Sequence, residues 1–365
     1  MIKKFAVTNY RGFASKIEFN LSNPRRYDFN AFAIDNGVVK NGIIYGPNGC
    51  GKTNLGLAIF DIVNHLTQRK KMDDYYDNFV YAGNSDQSVD FEYSFVFGNQ
   101  SVEYAYSKSR EGSLLKETLI VDGHLYLNHD EVSLEIHDPQ IQIPEVVRNK
   151  ILSNSVKISV INNLLMSFPL DDSHPLVRLQ HFVDSMLWFR CLDDRRFMGL
   201  DNQTTNLMEF IINNNLVESF KNFIYDVSAQ EFEFAAPENE EKILYCLIDG
   251  KKLEFLKLAS TGTISLLLLF YWVNRMSEAS FVFIDEFDAF YHFKLSFNVC
   301  KLLFEQNCQV FLSSHNTYLM TNDLLRPDCN FIIANNEIKP LCDCTQKDLQ
   351  FGHNIEKMFR TGAFN

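Results

Sequence analysis

The 365-residue chain has no apolar run approaching the roughly 18 residues that a membrane-spanning helix needs; the longest candidate, residues 264–273, is too short. Its amino terminus, MIKKFAVTNYRGF, carries polar residues from position 8 and lacks the extended apolar core of a secretory signal. These absences point to a cytoplasmic protein with no membrane partner. There are eight cysteines but no C-x-x-C pair, and only Cys342 and Cys344 lie close together, so matched ligand pairs for structural zinc are missing. Basic residues are scarce as well: 34 Lys and Arg against 46 Asp and Glu give a formal net charge of −12. A chain this acidic has no generic attraction to a nucleic-acid backbone. Nucleic acid therefore needs a local patch, for which Arg69, Lys70 and Lys71 are one candidate and a solvated helix end the alternative. No internal repeat, low-complexity tract or sustained heptad pattern is present, which argues against a long coiled-coil arm.

What the chain does have is a hydrophobic content of 46%, enough for a large core in one big domain or two intimate ones. It also has the stretch IIYGPNGCGKTN, residues 43–54, in which an apolar run meets G-x-x-x-x-G-K-T and then a helix-compatible segment, NLGLAIFDIVNHL. That is a phosphate-binding loop in its strand, loop and helix context. Gly46, Gly49 and Gly51 let the backbone turn around Pro47, Asn48 and Cys50, so that N–H groups converge on phosphate oxygens near the positive end of the helix that Asn54 enters. Lys52 is expected on the β- and γ-phosphates, and the Thr53 hydroxyl on a magnesium ion. Cys50 reads as a small filler, with redox control of nucleotide binding a secondary idea.

The first 45 residues alternate as strands: residues 3–8, a partner at 16–19, and residues 42–45 feeding the phosphate loop. Residues 89–97 and 102–106 continue the alternation, and a hairpin follows with Asp122-Gly123 as its turn, so an antiparallel layer is expected on the nucleotide-binding core. From about 145 to 230 the spacing becomes helical, as in Leu176, Leu179, Phe182, Val183, Met186 and Leu187. Two further strands turn at Asp249-Gly250. The organisation reads as residues 1–150 for the first half of the domain, 151–240 for a helical subdomain, and 241–365 for the second half.

Residues 258–316 hold a second cluster of chemistry. Ser260-Thr261-Gly262-Thr263 opens a strongly apolar helix; such a loop is either an ordinary N-cap or a second anion site. FVFIDEFDAF is a buried strand ending in Asp285 and Glu286, and adjacent buried carboxylates call for a cation. Beside a phosphate loop, Asp285 is assigned to magnesium and Glu286 to general-base activation of the attacking water. QVFLSSHN is another buried strand, running into His315, which a parallel sheet would bring to the same edge as a γ-phosphate contact.

With GPNGCGKT, STGT, FVFIDE, the turn at Asp288-Ala289-Phe290 and SSHN in this order, the chain resembles ABC-type ATPase heads of the SMC, RecF and OLD group. More closely, DEFDA before His292 and the ending NIEKMFRTGAF resemble AAA-family ATPases of bacterial abortive-infection and phage-defence systems. The resemblance implies an α/β P-loop NTPase with a mixed, largely parallel core sheet, an antiparallel β layer and a helical subdomain. It implies ATP and Mg2+ as cofactors, and Arg11 near the nucleotide. It also implies a head-to-head homodimer or higher oligomer, in which Ser260, Gly262 and Asp288 of one subunit meet ATP on the other. The signature is STGT rather than LSGGQ, Ala259 stands where these relatives often carry an acidic residue, and no glutamine stands out for the Q-loop, Gln87 and Gln100 being open alternatives. No TOPRIM or HNH motif is visible, so a nuclease or toxin effector is expected on a separate polypeptide. The competing reading is a RecF- or SMC-like repair or recombination ATPase that binds DNA; a transporter motor, a GTPase lacking N-K-x-D and a small-molecule kinase fit less well.

Overall fold

Runs of β-branched and aromatic residues bounded by polar turns form the strands of a parallel sheet buried on both faces. The computed structural model describes residues 1–364 apart from 68, 70–71, 73, 85, 131, 154–158, 193–195, 201–205 and 236–241, so Lys70 and Lys71 of the basic cluster lie outside the described residues. The seven-stranded core sheet runs Phe197–Gly199, Met186–Arg190, Phe281–Asp285, Gln309–Ser314, Asn41–Tyr45, Asn330–Ala334 and Glu337–Pro340. Its five central strands are parallel and its two edges antiparallel. Every residue of Asn41–Tyr45, Phe281–Asp285 and Gln309–Ser314 is buried. Parallel pairing sends the carboxyl ends of these strands to one edge, where loops can meet.

The second seven-stranded sheet is antiparallel throughout, in the order Leu134–Ile136, His124–His129, Leu114–Val121, Gln100–Ser109, Ser88–Phe97, Ile2–Thr8 and Ile17–Asn20. Val89, Phe91, Tyr93, Phe95 and Phe97 alternate inward, as period-2 spacing predicts. The Gln309 side chain joins the two sheets: its oxygen accepts from the Ile2 amide at 2.9 Å, and its nitrogen donates to the carbonyls of Ile2 and Val39 at 2.9 Å each.

The segment after the phosphate loop differs from the single helix expected. It forms Lys52–Ile59 and Asp61–Leu66 with a break at Phe60. The Tyr93 hydroxyl, from the antiparallel sheet, bonds the carbonyls of Ala58 at 3.1 Å and Ile59 at 3.2 Å, satisfying groups that an unbroken helix would pair internally. Gly56 faces the core sheet, where a Cβ would lie 2.8 Å from the Phe283 ring and 2.9 Å from Trp188 Nε1. The helix that carries Lys52 is thus held between both sheets.

The region expected to be helical contains helices Glu145–Ser153, Val160–Ser167, Pro175–Asp184, Leu207–Asn213 and Val217–Ser228, but Met186 and Leu187 belong to none of them. Helix Pro175–Asp184 stops at Ser185, and Met186–Arg190 becomes a core strand parallel to Phe281–Asp285. A short run of buried apolar residues looks alike in helix and strand, which is why spacing misassigned it. The longest helix among the described residues, Thr261–Val273, has 13 residues, so none of them forms a long coiled-coil arm.

Behind the phosphate-loop helix sits a buried polar cluster. Asp61 pairs with Lys108 and accepts from the hydroxyls of Tyr75 and Tyr106 at 2.8 Å each. Burial alone would raise this carboxyl, but Lys108 and the hydroxyls outweigh it and hold it below the usual carboxylate range. Glu117 accepts from Tyr104 at 2.6 Å and from the amide of Val160 at 2.6 Å, which caps helix Val160–Ser167. Substituting Lys108→Met leaves a buried charge without its cation and is expected to cost about 3–5 kcal/mol at neutral pH. Asp61 contributes its stability above the unfolded carboxyl value of about 4 and loses it as pH falls through the lower folded value. Denaturant unfolding should therefore find the gap between wild type and variant closing in acid; a gap of equal size at pH 7 and pH 3 contradicts this assignment.

Candidate functional site

The phosphate loop leaves the buried strand Asn41–Tyr45 and turns through residues 46–51, with Pro47, Asn48 and Gly49 exposed, before Lys52 starts the helix. The turn favours glycine at Gly49, whose φ is 79°, and at two further places. Gly51 has φ 105°, and a Cβ there would fall 2.6 Å from the Phe13 ring; a Cβ at Gly46 would fall 2.5 Å from Cys50 Sγ and 2.6 Å from the Ile333 carbonyl oxygen. Cys50 therefore fills the hollow over Gly46. The Lys52 ammonium is buried and folds back along the loop, donating to the carbonyls of Gly46 at 2.9 Å and Pro47 at 3.3 Å. Burial lowers its pKa, and the surrounding acidic groups oppose that shift.

Parallel pairing joins this loop to the second cluster. The Thr53 hydroxyl donates to Asp285 Oδ2 at 2.8 Å, and Ser313, on the strand between them, donates to Asp285 Oδ1 at 2.6 Å. Ser313 Oγ also accepts from the Glu286 amide at 2.8 Å. Ser314 donates to Asp288 at 2.7 Å and accepts from the Asn316 amide at 2.9 Å. Asp285 has no exposure, and burial pushes its carboxyl above the usual range against the bonds from Ser313 and Thr53. Burial also raises Asp288. Glu286 has φ 48°, a left-handed conformation that a side-chain-bearing residue adopts at a cost, and such strain gathers at functional sites.

His315 reaches solvent, with Nδ1 3.4 Å from Lys52 Nζ. Partial burial and the Lys52 charge lower its pKa, which favours the neutral ring. The oxygen donors of Thr53 and Asp285 suit a small hard cation such as magnesium.

Arg11 sits in the turn after strand Ile2–Thr8 at φ 48°, and that turn packs on the phosphate loop through Phe13 at Gly51 and Gly12 at Asn54. Its guanidinium donates to the Tyr75 carbonyl at 2.8 Å. Ser260 caps helix Thr261–Val273 by accepting from the Thr263 amide at 3.2 Å. A Cβ on Gly262 would lie 2.9 Å from the Phe290 carbonyl oxygen, so this loop packs on the turn that follows the carboxylates. Among the described residues, neither Ser260 nor Gly262 hydrogen-bonds to the chain's own phosphate loop. The two glutamines considered earlier lie in or beside the antiparallel layer. Gln100 accepts from Arg178 at 3.3 Å in the antiparallel layer, and Gln87 precedes strand Ser88–Phe97 of that layer.

Arg190 escaped the sequence reading, and Ser313 and Ser314 were read only as the end of the strand before His315, not as the hydroxyls that orient the carboxylates. Arg190 ends strand Met186–Arg190 in register with Asp285, its Nε 3.7 Å from Asp285 Oδ2 and a terminal nitrogen 3.8 Å from Glu286 Oε1. The adjacent serines in SSHN were a visible signal; nothing local marked Arg190.

A parallel sheet whose edge gathers a phosphate loop, a threonine hydroxyl on a buried aspartate, a following glutamate and a histidine beside the loop lysine defines a P-loop nucleoside-triphosphatase. The chain belongs to the family described as "AAA domain, putative AbiEii toxin, Type IV TA system", whose model matches residues 43–321. No curated protein sequence matches it. Among solved structures, the SMC head domain from Thermotoga maritima is 16% identical, with 93% of this chain and 98% of that chain covered and a TM-score of 0.46. An Smc head bound to the C-winged helix domain of ScpA is 14% identical over 93% and 96%, with a TM-score of 0.47. RecF with ATP is 15% identical over 93% and 99%, with a TM-score of 0.37.

Glycine adopts the backbone of residue 286 without strain, so Glu286→Gly is expected to stabilise the fold by about 1 kcal/mol. The same change removes the carboxylate from the site. Thermal unfolding and phosphate release measured on one preparation check both halves, and a lower melting temperature for the variant contradicts the strain argument.

Proposed function

We propose that the protein binds ATP with magnesium at residues 46–54, hydrolyses it, and uses the nucleotide as a switch on its own assembly. The observation that carries this reading is the bonded chain from Thr53 through Asp285 and Ser313 to Glu286, which unites the phosphate loop with the carboxylates. Lys52 moves from its loop carbonyls to the β- and γ-phosphates, whose charge outcompetes neutral oxygens. Thr53 and Asp285 would hold magnesium, which when bound would supply charge neutralisation on the phosphates. Glu286 takes the proton as a water oxygen bonds to the γ-phosphorus, and the bridging bond to the β-phosphate breaks to leave ADP. His315 donates a ring N–H hydrogen bond to a γ-phosphate oxygen.

The assembly reading starts from the loop that opens helix Thr261–Val273. The turn at Ser260 and Gly262 caps a 13-residue helix, and a helix N-terminus attracts phosphate. In a head-to-head homodimer that turn, with Asp288 nearby, would close on the partner's ATP, and hydrolysis would release it. We read the switch as acting in anti-phage defence on a separate nuclease or toxin; of this, the family description, which names a putative toxin and a Type IV TA system, favours only the defence setting.

Glu286→Gln should keep ATP binding, lower turnover at least about a hundred-fold and accumulate ATP-bound dimers or higher assemblies in size-exclusion chromatography with light scattering. Lys52→Ala should abolish nucleotide binding. An oligomeric state indifferent to ATP in both wild type and Glu286→Gln would sink the switch. ATP-dependent, salt-sensitive retention on linear duplex would instead favour a DNA-binding repair ATPase.

A further inference from the structure

Asp285, Glu286 and Asp288 bring three carboxylates to the edge that carries the phosphate loop. Asp288 is bonded to Ser314, and the Lys52 ammonium is turned toward the carbonyls of Gly46 and Pro47. Among the described residues, the cation in ion-pair range of both adjacent carboxylates is Arg190. Backbone bonds fix where its side chain begins: the Arg190 amide donates to the Arg196 carbonyl at 3.0 Å, and the next amide, Cys191, donates to the Asp285 carbonyl at 3.2 Å. From that anchor the guanidinium spans both carboxylates, 3.7 Å from Asp285 Oδ2 and 3.8 Å from Glu286 Oε1.

Two details give this contact a meaning beyond packing. Asp285 Oδ2 is the oxygen that also accepts the Thr53 hydroxyl, so the guanidinium lies beside the oxygen pair suited to magnesium. The separations are also longer than the roughly 2.7–2.9 Å of a tight charge-assisted bond, and the Arg190 side chain is 26% exposed. An ion pair of this kind offsets the repulsion between neighbouring carboxylates yet can be displaced toward solvent by a denser charge.

We infer that Arg190 is the resident counter-cation of the metal site, holding Asp285 and Glu286 in place before nucleotide arrives and competing with the incoming divalent ion for Asp285. It is a positioning residue that sets how much magnesium nucleotide binding requires. This rests on the magnesium–ATP reading and adds to it a threshold that a neutral residue at position 190 would not impose. The guanidinium keeps the carboxylates from seizing divalent ions in the empty protein, so the metal enters with the triphosphate.

The test compares wild type, Arg190→Gln, Arg190→Met and Arg190→Lys by titrating Mn2+ into nucleotide-free protein and reading free Mn2+ by electron paramagnetic resonance. The Mg2+ dependence of binding a fluorescent ATP analogue is then measured on the same proteins. Removing one positive charge at this distance should tighten Mn2+ binding roughly five- to ten-fold in both neutral variants and lower the Mg2+ half-saturation by a similar factor. Arg190→Lys should stay within about two-fold of wild type, because a charge remains on a comparable stem. In an Asp285→Asn background the effect of Arg190→Gln on Mn2+ should vanish. Neutral variants that fold yet bind Mn2+ no more tightly than wild type overturn the inference, as does a higher Mg2+ requirement. If wild type binds no ATP analogue, the magnesium–ATP reading fails by itself, and the nucleotide-free Mn2+ comparison still decides the role of Arg190.

Discussion

Asp285 has no contact with solvent, and a buried carboxylate is tolerated only where donors surround it. The hydroxyls of Thr53, from the helix after the phosphate loop, and Ser313, from the adjacent strand, donate to it, and Arg190, from the strand on the other side, adds a positive charge 3.7 Å away. Each arrives through parallel strand pairing, with Asp285 level with Arg190 and Ser313 level with Ile44. A slip of one residue in any of these strands would turn the donor to the opposite face and leave the charge unsatisfied. The register of the core sheet and the geometry of the site are therefore one constraint.

The same economy holds behind the site. Helix Lys52–Ile59 has the core sheet on one side and Tyr93 on the other, and its continuation carries Asp61 into the cluster with Lys108. Tyr75 belongs to this cluster through its hydroxyl, while its carbonyl receives Arg11 from the turn that packs on the phosphate loop. A continuous set of bonds thus links the loop's surroundings to the antiparallel layer. The low pKa direction of Asp61 reflects how completely that charge is met.

Much of this was legible in the chain itself. The glycine spacing of residues 46–53 has a single chemical reading, and the alternation from Val89 to Phe97 identifies a one-sided strand because only one face is buried. Met186–Arg190 failed to announce itself for the opposite reason. A strand buried on both faces has no period to detect, and hydrophobic residues upstream continued a helical spacing into it. Misplacing that strand also concealed Arg190, whose importance depends on lying level with Asp285 rather than on any local pattern. The hydroxyls of Ser313 and Ser314 were visible as residues but not as donors, since their partners stand 28 and 26 positions away along the chain. The break at Phe60 was hidden likewise, because the group that meets the interrupted carbonyls is a tyrosine on another sheet.

The Gln309 side chain has a mechanical consequence. One primary amide serves Ile2, Val39 and the strand that leads to His315. Shearing the antiparallel layer against the core at that point would break the two buried hydrogen bonds to Ile2 together. The two layers therefore form a single lever with a fixed fulcrum at Gln309. Helix Thr261–Val273 shares no sheet with the core, yet it is tied to the same body by side chains, with Trp272 against Phe189 and Phe197 and Ser265 3.0 Å from the Tyr291 hydroxyl.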